Sequence, residues 1–248
     1  MLYLSNKHVG VVRTYRCKNE IFREDDPADR VYEVIKGTVC TTKTLRDGKR
    51  QIAGFYFPGD VLGLENVAKH PLAGQAITEA RVRIVKKQAL NALASSDCKV
   101  ADRLLSLTAR ELARKQDLVL LLSRSAQERI VGFLLEMAQR TSATDRIELP
   151  MHRRDIADYL GLTLETVSRG FWDLERRGAI KIAKRSIVLR SQPANGRTEV
   201  LRDIFEAVKG CRPKTEHELD DWLASPQAKI ATLFNLTSLS YWGERARS

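Results

Sequence analysis

The sequence predicts an α+β chain: a small antiparallel β-domain, a long helix, a helix-turn-helix with a basic hairpin, and a helical extension at the end. Three observations carry this. Between residues 30 and 86, short runs rich in Val, Ile, Thr, Tyr and Phe alternate with turn residues. From about Ser96 to Gln139 there is no proline and one glycine, Gly132, while apolar residues recur at helical spacing. Residues 155–174, DIADYLGLTLETVSRGFWDL, read as two short helices separated by a glycine.

The first observation is a strand signature. RVYEVIKGTVCTTKTLRDGKRQIAGFYFPGDVLGL is punctuated at Gly37, Asp47-Gly48 and Pro58-Gly59-Asp60, as strands joined by tight turns are. The Asp-Gly pair predicts a type I′ hairpin, which needs positive φ at both central residues. The run QAITEARVRIVKK alternates Ala76, Thr78, Ala80, Val82 and Ile84 with mostly polar neighbours, the pattern of a half-buried strand. Several such strands at short spacing imply a small sandwich or barrel.

The second is a change of period. Val100, Leu104 and Leu107 form one helical stripe. Ala101, Leu105, Thr108, Leu112, Lys115, Val119 and Leu122 form another, three or four residues apart and close to a heptad. One long helix or two in series would satisfy the pattern. A helix packing on its own barrel accounts for the near-heptad stripe as well as a two-stranded dimer contact does.

The third carries chemistry. Ile156, Ala157 and Leu160 give the first short helix an apolar face, and Gly161 stands where the chain must turn with positive φ. Thr163 can cap the second helix, whose Val167, Phe171 and Leu174 point inward. The opposite face offers Glu165, Ser168, Arg169 and Trp172. Arg bonds guanine O6 and N7 in bidentate fashion, Glu accepts from cytosine N4, and Ser suits either. Glu165 would also be favoured in a first helical turn with no ligand at all, and Arg169 by simple solvation. The ordered combination is therefore worth more than either residue. The following GAIKIAKRSIVLRS reads as a basic hairpin that sets Lys184 and Arg185 against phosphates, with Thr163 and Thr166 as supporting groups. Trp172 is expected to cover the edge of that hairpin. Gly170 lies inside the second helix, where glycine costs about 1 kcal/mol relative to alanine. Its presence predicts a close approach by a neighbouring element.

Composition agrees and excludes. The 248 residues carry a formal net charge of +11 and a pI near 9.7, pointing to an anionic partner, with nucleic acid ahead of a membrane surface. No window approaches the ~18 apolar residues of a spanning helix, and the opening residues do not read as a secretion signal. The expected location is the cytoplasm, without membrane contact. Cys17, Cys40, Cys98 and Cys211 never form a C-x-x-C pair and are expected as reduced, mostly buried thiols. His8, His70, His152 and His217 are as scattered. With no P-loop, nucleophile–base pair or metal-ligand spacing, neither an enzyme nor a cofactor is expected.

LPMHRRDIADYLGLTLETVSRGFWDLERRGAI resembles the winged helix of the cyclic AMP receptor protein/FNR superfamily, closest to its FixK branch. DGKRQIAGFYFPGDVLGLE resembles that family's double-stranded β-helix, the jelly roll that binds cyclic nucleotides in some members, and AQERIVGFLLEMAQR its connection into the DNA-binding domain. The resemblance spans roughly residues 13 to 192. It implies a homodimer joined by a long central helix through Leu105, Leu112 and Val119, binding double-stranded DNA at a palindromic operator and activating transcription with RNA polymerase. The family's E-x-x-S-R pattern, used on TTGAT-type half-sites, falls on Glu165, Ser168 and Arg169, while Gly170 stands where relatives usually carry an apolar residue.

Two departures concern regulation. In GLENVAKHPLAGQA, Leu72 occupies the place of the arginine with which cyclic AMP-binding relatives hold the phosphate, and without it that anion is poorly held. Cys17 alone stands where FNR clusters its cysteines, too few for an iron–sulfur centre needing about four thiolates. FixK-like relatives lack both devices, which implies activity without cyclic nucleotide. An effector- or redox-responsive sensor with a ligand in the β-domain is the alternative.

The implied division is 1–95 β-roll, 96–124 dimerisation helix, 125–192 winged helix-turn-helix, and 193–248 extension. In the extension Val200, Leu201, Ile204, Phe205 and Val208 form a helical stripe, and Thr215 to Glu218 a capping box. Its acidic and basic residues balance, so a small packed helical appendage is expected before a partner-binding module.

Overall fold

The computed structural model describes residues 10–140, 146–183 and 186–189. The chain divides into two compact units, Met1–Lys115 with Pro150–Gly161, and Gln116–Leu149 with Leu162–Ser248. Lys184, Arg185, Cys211, His8, His217 and the whole 193–248 extension lie outside the described residues.

In the first unit, eight strands form two four-stranded antiparallel sheets. One has the order β1 (Val11–Tyr15), β8 (Ala80–Lys86), β3 (Arg30–Lys36), β6 (Val61–Leu62). The other has the order β2 (Glu20–Phe22), β7 (Ala73–Ala76), β4 (Val39–Thr44), β5 (Arg50–Tyr56). Phe22, Val39, Tyr56 and Ala76 from the second sheet cluster with Tyr32, Val34, Leu62, Ala80 and Val82 from the first, so the core lies between the sheets. The strand pattern predicts a small sandwich or barrel, and the two facing sheets are the β-roll that the family resemblance implies.

Three local readings change. The QAITEARVRIVKK run is two strands, β7 and β8, in different sheets. Between them Ile77 and Thr78 donate backbone N–H bonds to Thr38 O, and the Thr38 N–H donates to the Thr78 hydroxyl at 2.9 Å, which bends the chain out of the first ladder. At the Asp47-Gly48 pair only Gly48 has positive φ, and its N–H donates to Leu45 O at 2.9 Å. The hairpin is thus a longer loop ending in a left-handed glycine rather than a type I′ turn. Of the described cysteines only Cys40 is buried, its thiol pushed up to about 12 by burial, while Cys17 and Cys98 are exposed.

After β8 come α1 (Lys87–Ser96), which the strand reading passes over, and α2 (Cys98–Leu122). The first stripe of α2 behaves as read: Leu107 is buried against Val31, Val61, Val85 and Leu90, with Val100 and Leu104 beside it. The near-heptad stripe is divided. Leu105, Leu112 and Val119 are 70%, 59% and 68% exposed, but Lys115 faces β5, where its ammonium donates to Ala53 O at 2.7 Å and lies over the Tyr56 ring. The buried Tyr56 hydroxyl donates to Glu111 at 2.7 Å, and Arg114 pairs with Asp60 at 3.2 Å. Polar anchors therefore fix the rotation of α2 against the β-roll.

In the second unit, α3 (Ala126–Arg140) follows the Ser123–Ser125 connection, so the long helical region is two helices in series. Leu121 fills the space above Gly132, where a β-carbon would overlap its Cδ1. A three-stranded antiparallel sheet has the order β10 (Ile180–Ala183), β11 (Ser186–Leu189), β9 (Arg146–Glu148). With α5 (Leu164–Arg176) these enclose a core of Ile130, Phe133, Leu134, Met137, Ile147, Phe171, Leu174, Ile180 and Ile187. No described helix is long and apolar enough to cross a membrane.

Candidate nucleic-acid interface

The first helix of the 155–174 stretch is α4 (Arg153–Leu160). It begins where the His152 N–H donates to the Asp155 carboxylate at 2.9 Å, and it ends at Gly161, in the left-handed region at φ 62° and ψ 39°, with the glycine N–H on Ala157 O. Ile156, Ala157, Tyr159 and Leu160 are buried. Arg50 of β5, which sequence reasoning passed over as an ordinary strand residue, bonds both Asp155 and, at 2.8 Å, Asp158. Burial alone would lower the Arg50 pKa, but the hydrogen bonds and charges of the two carboxylates outweigh it and raise it. Gln51 donates to Tyr159 O at 3.3 Å, and the Phe55 and Tyr159 rings meet at 5.1 Å. Nothing local in the sequence announces this anchorage, because its partners stand more than a hundred residues apart.

The second helix, α5, starts as read. The Thr163 hydroxyl accepts from the Thr166 N–H at 3.1 Å, and the two hydroxyls lie 3.0 Å apart. Both threonines thus serve the cap, which satisfies one of the open N–H groups of the first turn. Val167, Phe171 and Leu174 are buried, whereas Glu165, Ser168 and Arg169 are exposed. Backbone hydrogen bonding in the first turn, then the Thr163 hydroxyl, then the Arg169 charge hold the Glu165 carboxyl below its ordinary value. At neutral pH it is an ionised acceptor. The helix closes with Gly178 N–H on Glu175 O and Ala179 N–H on Leu174 O, the paired bonds of a Schellman motif. Glu175 then accepts the Ile182 N–H at 2.8 Å and ties α5 to the hairpin.

Gly170 has its predicted close neighbour. A β-carbon there would overlap Cδ1 of Ile130, a buried residue of α3. Trp172 stands on the outer side of α5. It is 57% exposed, and the guanidinium of Arg176 lies 4.8 Å from its ring centre. One helical turn separates the two, which places them on a shared face of α5.

In the β-roll, the segment between β6 and β7 is tied down by its own side chains. Glu65 bonds His70 Nδ1 at 2.6 Å, and the His70 ring is buried against Phe22 at 4.2 Å. Phe22 also covers Gly74, leaving no room for a β-carbon. Among the described residues no three His, Cys, Asp or Glu side chains converge to hold a metal ion.

A β-roll, a long helix, and two short helices joined through a glycine turn and followed by a β-hairpin define a DNA-binding regulator of transcription. Residues 12–97 match the cyclic nucleotide-binding domain and residues 128–194 the Crp-like helix-turn-helix domain. The nitrogen fixation regulation protein FixK of Azorhizobium caulinodans is 40% identical over 193 residues, 75% of this chain and 78% of that one. FixK of Bradyrhizobium diazoefficiens is 39% identical, over 74% of this chain and 79% of its own length. The structure of FixK2 from Bradyrhizobium japonicum, 48% identical, superposes with a TM-score of 0.70 over 74% of this chain and 93% of that one. The chain belongs to the CRP/FNR superfamily, among its FixK-like members, and these relatives are regulators rather than enzymes.

Gly170→Ala gains about 1 kcal/mol of helix propensity but overpacks against Ile130, at a cost of about 1–3 kcal/mol. Thermal unfolding is expected to show net destabilisation, largely reversed in the double variant with Ile130→Val, which removes the overlapping Cδ1. A single Gly170→Ala variant that melts above the wild type would contradict this packing.

Proposed function

We propose that this regulator binds, as a homodimer, a two-fold symmetric operator with TTGAT-like half-sites, and that it activates transcription through RNA polymerase in the cytoplasm without cyclic nucleotide. The observation that carries the reading is the division of α5: its inward side is buried, and Glu165, Ser168 and Arg169 stand exposed on its capped N-terminal half. A recognition helix offers base edges its N-terminal residues. Lys184 and Arg185 are assigned to phosphates, with Thr163 and Thr166 as supporting groups at the start of α5. Control of nitrogen-fixation genes, which the relatives' names describe, is carried over as part of the same proposal. The domain division at residues 95, 124 and 192 is carried with it.

The dimer rests on Leu105, Leu112 and Val119, three large apolar side chains at seven-residue spacing, all left exposed by the packing of α2 on the β-roll. Effector independence rests on Leu72 and on the engagement of Glu65 by His70. A second reading, an effector-responsive β-domain, draws on His70 Nε2, which is buried without a protein partner among the described residues.

Selection of sites from random duplex DNA by the purified protein, with and without candidate effectors, tests these points together. A symmetric consensus supports the dimer, and a consensus that forms only with an added effector favours the second reading. On the selected site Arg169→Ala is expected to cost about 1–3 kcal/mol and to relax preference at one G·C pair. Lys184→Ala should weaken all sequences alike and lower the salt slope by about one. If both variants lose affinity in the same sequence-blind way, α5 does not read bases.

Charged substitutions at both Leu105 and Leu112 are expected to give a folded monomer that no longer binds the operator. Light scattering decides this, and a wild type that stays monomeric on DNA would remove the dimer. Cyclic AMP is expected to leave the melting temperature unchanged, whereas a ligand at a hundredfold excess over its Kd would add about 2.7 kcal/mol.

A further inference from the structure

We propose that Trp172 and Arg176 form a second, sequence-blind contact of α5 with DNA: the indole packs on a deoxyribose at the groove edge while the guanidinium meets the adjoining phosphate. The inference rests on the proposed operator reading and extends it to residues that lie outside the E-x-x-S-R pattern.

The geometry of a helix places the pair. At about 100° per residue, Arg169, Trp172 and Arg176 fall within about 40° of Glu165 around the α5 axis. They continue the exposed stripe along the helix, opposite Val167, Phe171 and Leu174. Along the axis Trp172 lies seven residues beyond Glu165, about 10.5 Å at 1.5 Å per residue. The major groove is about 8.5 Å deep. In a helix that enters the groove by its N-terminal end, with Glu165 at the base edges, Trp172 stands back toward the level of the backbone, past the bases.

The chemistry suits that level. Trp172 is 57% exposed, a large aromatic side chain left partly in solvent. The Arg176 guanidinium lies over the ring at 4.8 Å and bonds Asp173 at 3.2 Å, both charged side chains being largely exposed. An exposed pair of this kind contributes little to folding, so Arg176 can exchange the carboxylate for a phosphate at small cost. The indole then supplies an apolar plate for the sugar. Neither group meets a base edge, and neither adds sequence preference.

The test uses the full-length protein, the selected operator and an unrelated duplex, each measured across a range of salt. Trp172→Ala is expected to weaken both duplexes by about tenfold with an unchanged salt slope, and Trp172→Phe to keep most of the affinity. Arg176→Ala should lower the slope by about one on both. Addition of operator to the wild type should shift tryptophan emission, and that shift should vanish in Trp172→Phe, which retains Trp222 and Trp242. Trp172→Phe also provides the reading should the alanine variant melt lower than the wild type. Wild-type affinity in Trp172→Ala, or a loss confined to one base pair, overturns the proposal. If Trp172→Ala is silent while Arg169→Ala loses affinity, only this contact fails. If both are silent, the operator reading of α5 fails with it.

Discussion

The close approach of α3 to α5 is the constraint on which the exposed face of α5 depends. Ile130 reaches into the space that Gly170 leaves empty, and Val167, Phe171 and Leu174 complete the buried side. A helix fixed along one side has its opposite side decided for it. Glu165, Ser168 and Arg169 are therefore presented by packing, while the Thr163 cap and the Schellman closure at Gly178 set where that face begins and ends. The glycine that looks like a defect by propensity is what allows the helices to close.

A comparable division governs α2, where polar groups settle the rotation. Lys115, Glu111 and Arg114 each have a fixed partner on the β-roll, and those three contacts turn Leu107 inward. Leu105, Leu112 and Val119 are then left outward as a necessary consequence of helical geometry. An apolar stripe so exposed, on a helix that already has a core of its own, is the surface on which the proposed dimer rests.

Much of this was legible in the sequence wherever the cause was local. Gly161, Thr163 and the i, i+4, i+7 burial of Val167, Phe171 and Leu174 follow from turn, cap and period, each set within a few residues. The β-roll was legible as a class for the same reason. Legibility stopped where a distant partner decides. Lys115 fits the heptad by spacing, but a carbonyl sixty-two residues earlier claims it. The bend between β7 and β8 is set by Thr38, forty residues away, and the Asp-Gly turn by the length of loop that the β4–β5 register imposes. Arg50 carried no signal at all.

Arg50 has an evolutionary consequence. One guanidinium serves two carboxylates that stand three residues apart on α4, and Asp155 is also engaged at the start of that helix. Loss of Asp158 would leave a matched pair, a state through which a lineage can drift. Loss of the arginine first would leave two facing negative charges with no counterion, one of them buried. The order of change is thus biased: the acidic partner on the outer turn is free to vary before the basic one, and arginine at this strand position should outlast Asp158 as the sequence diverges.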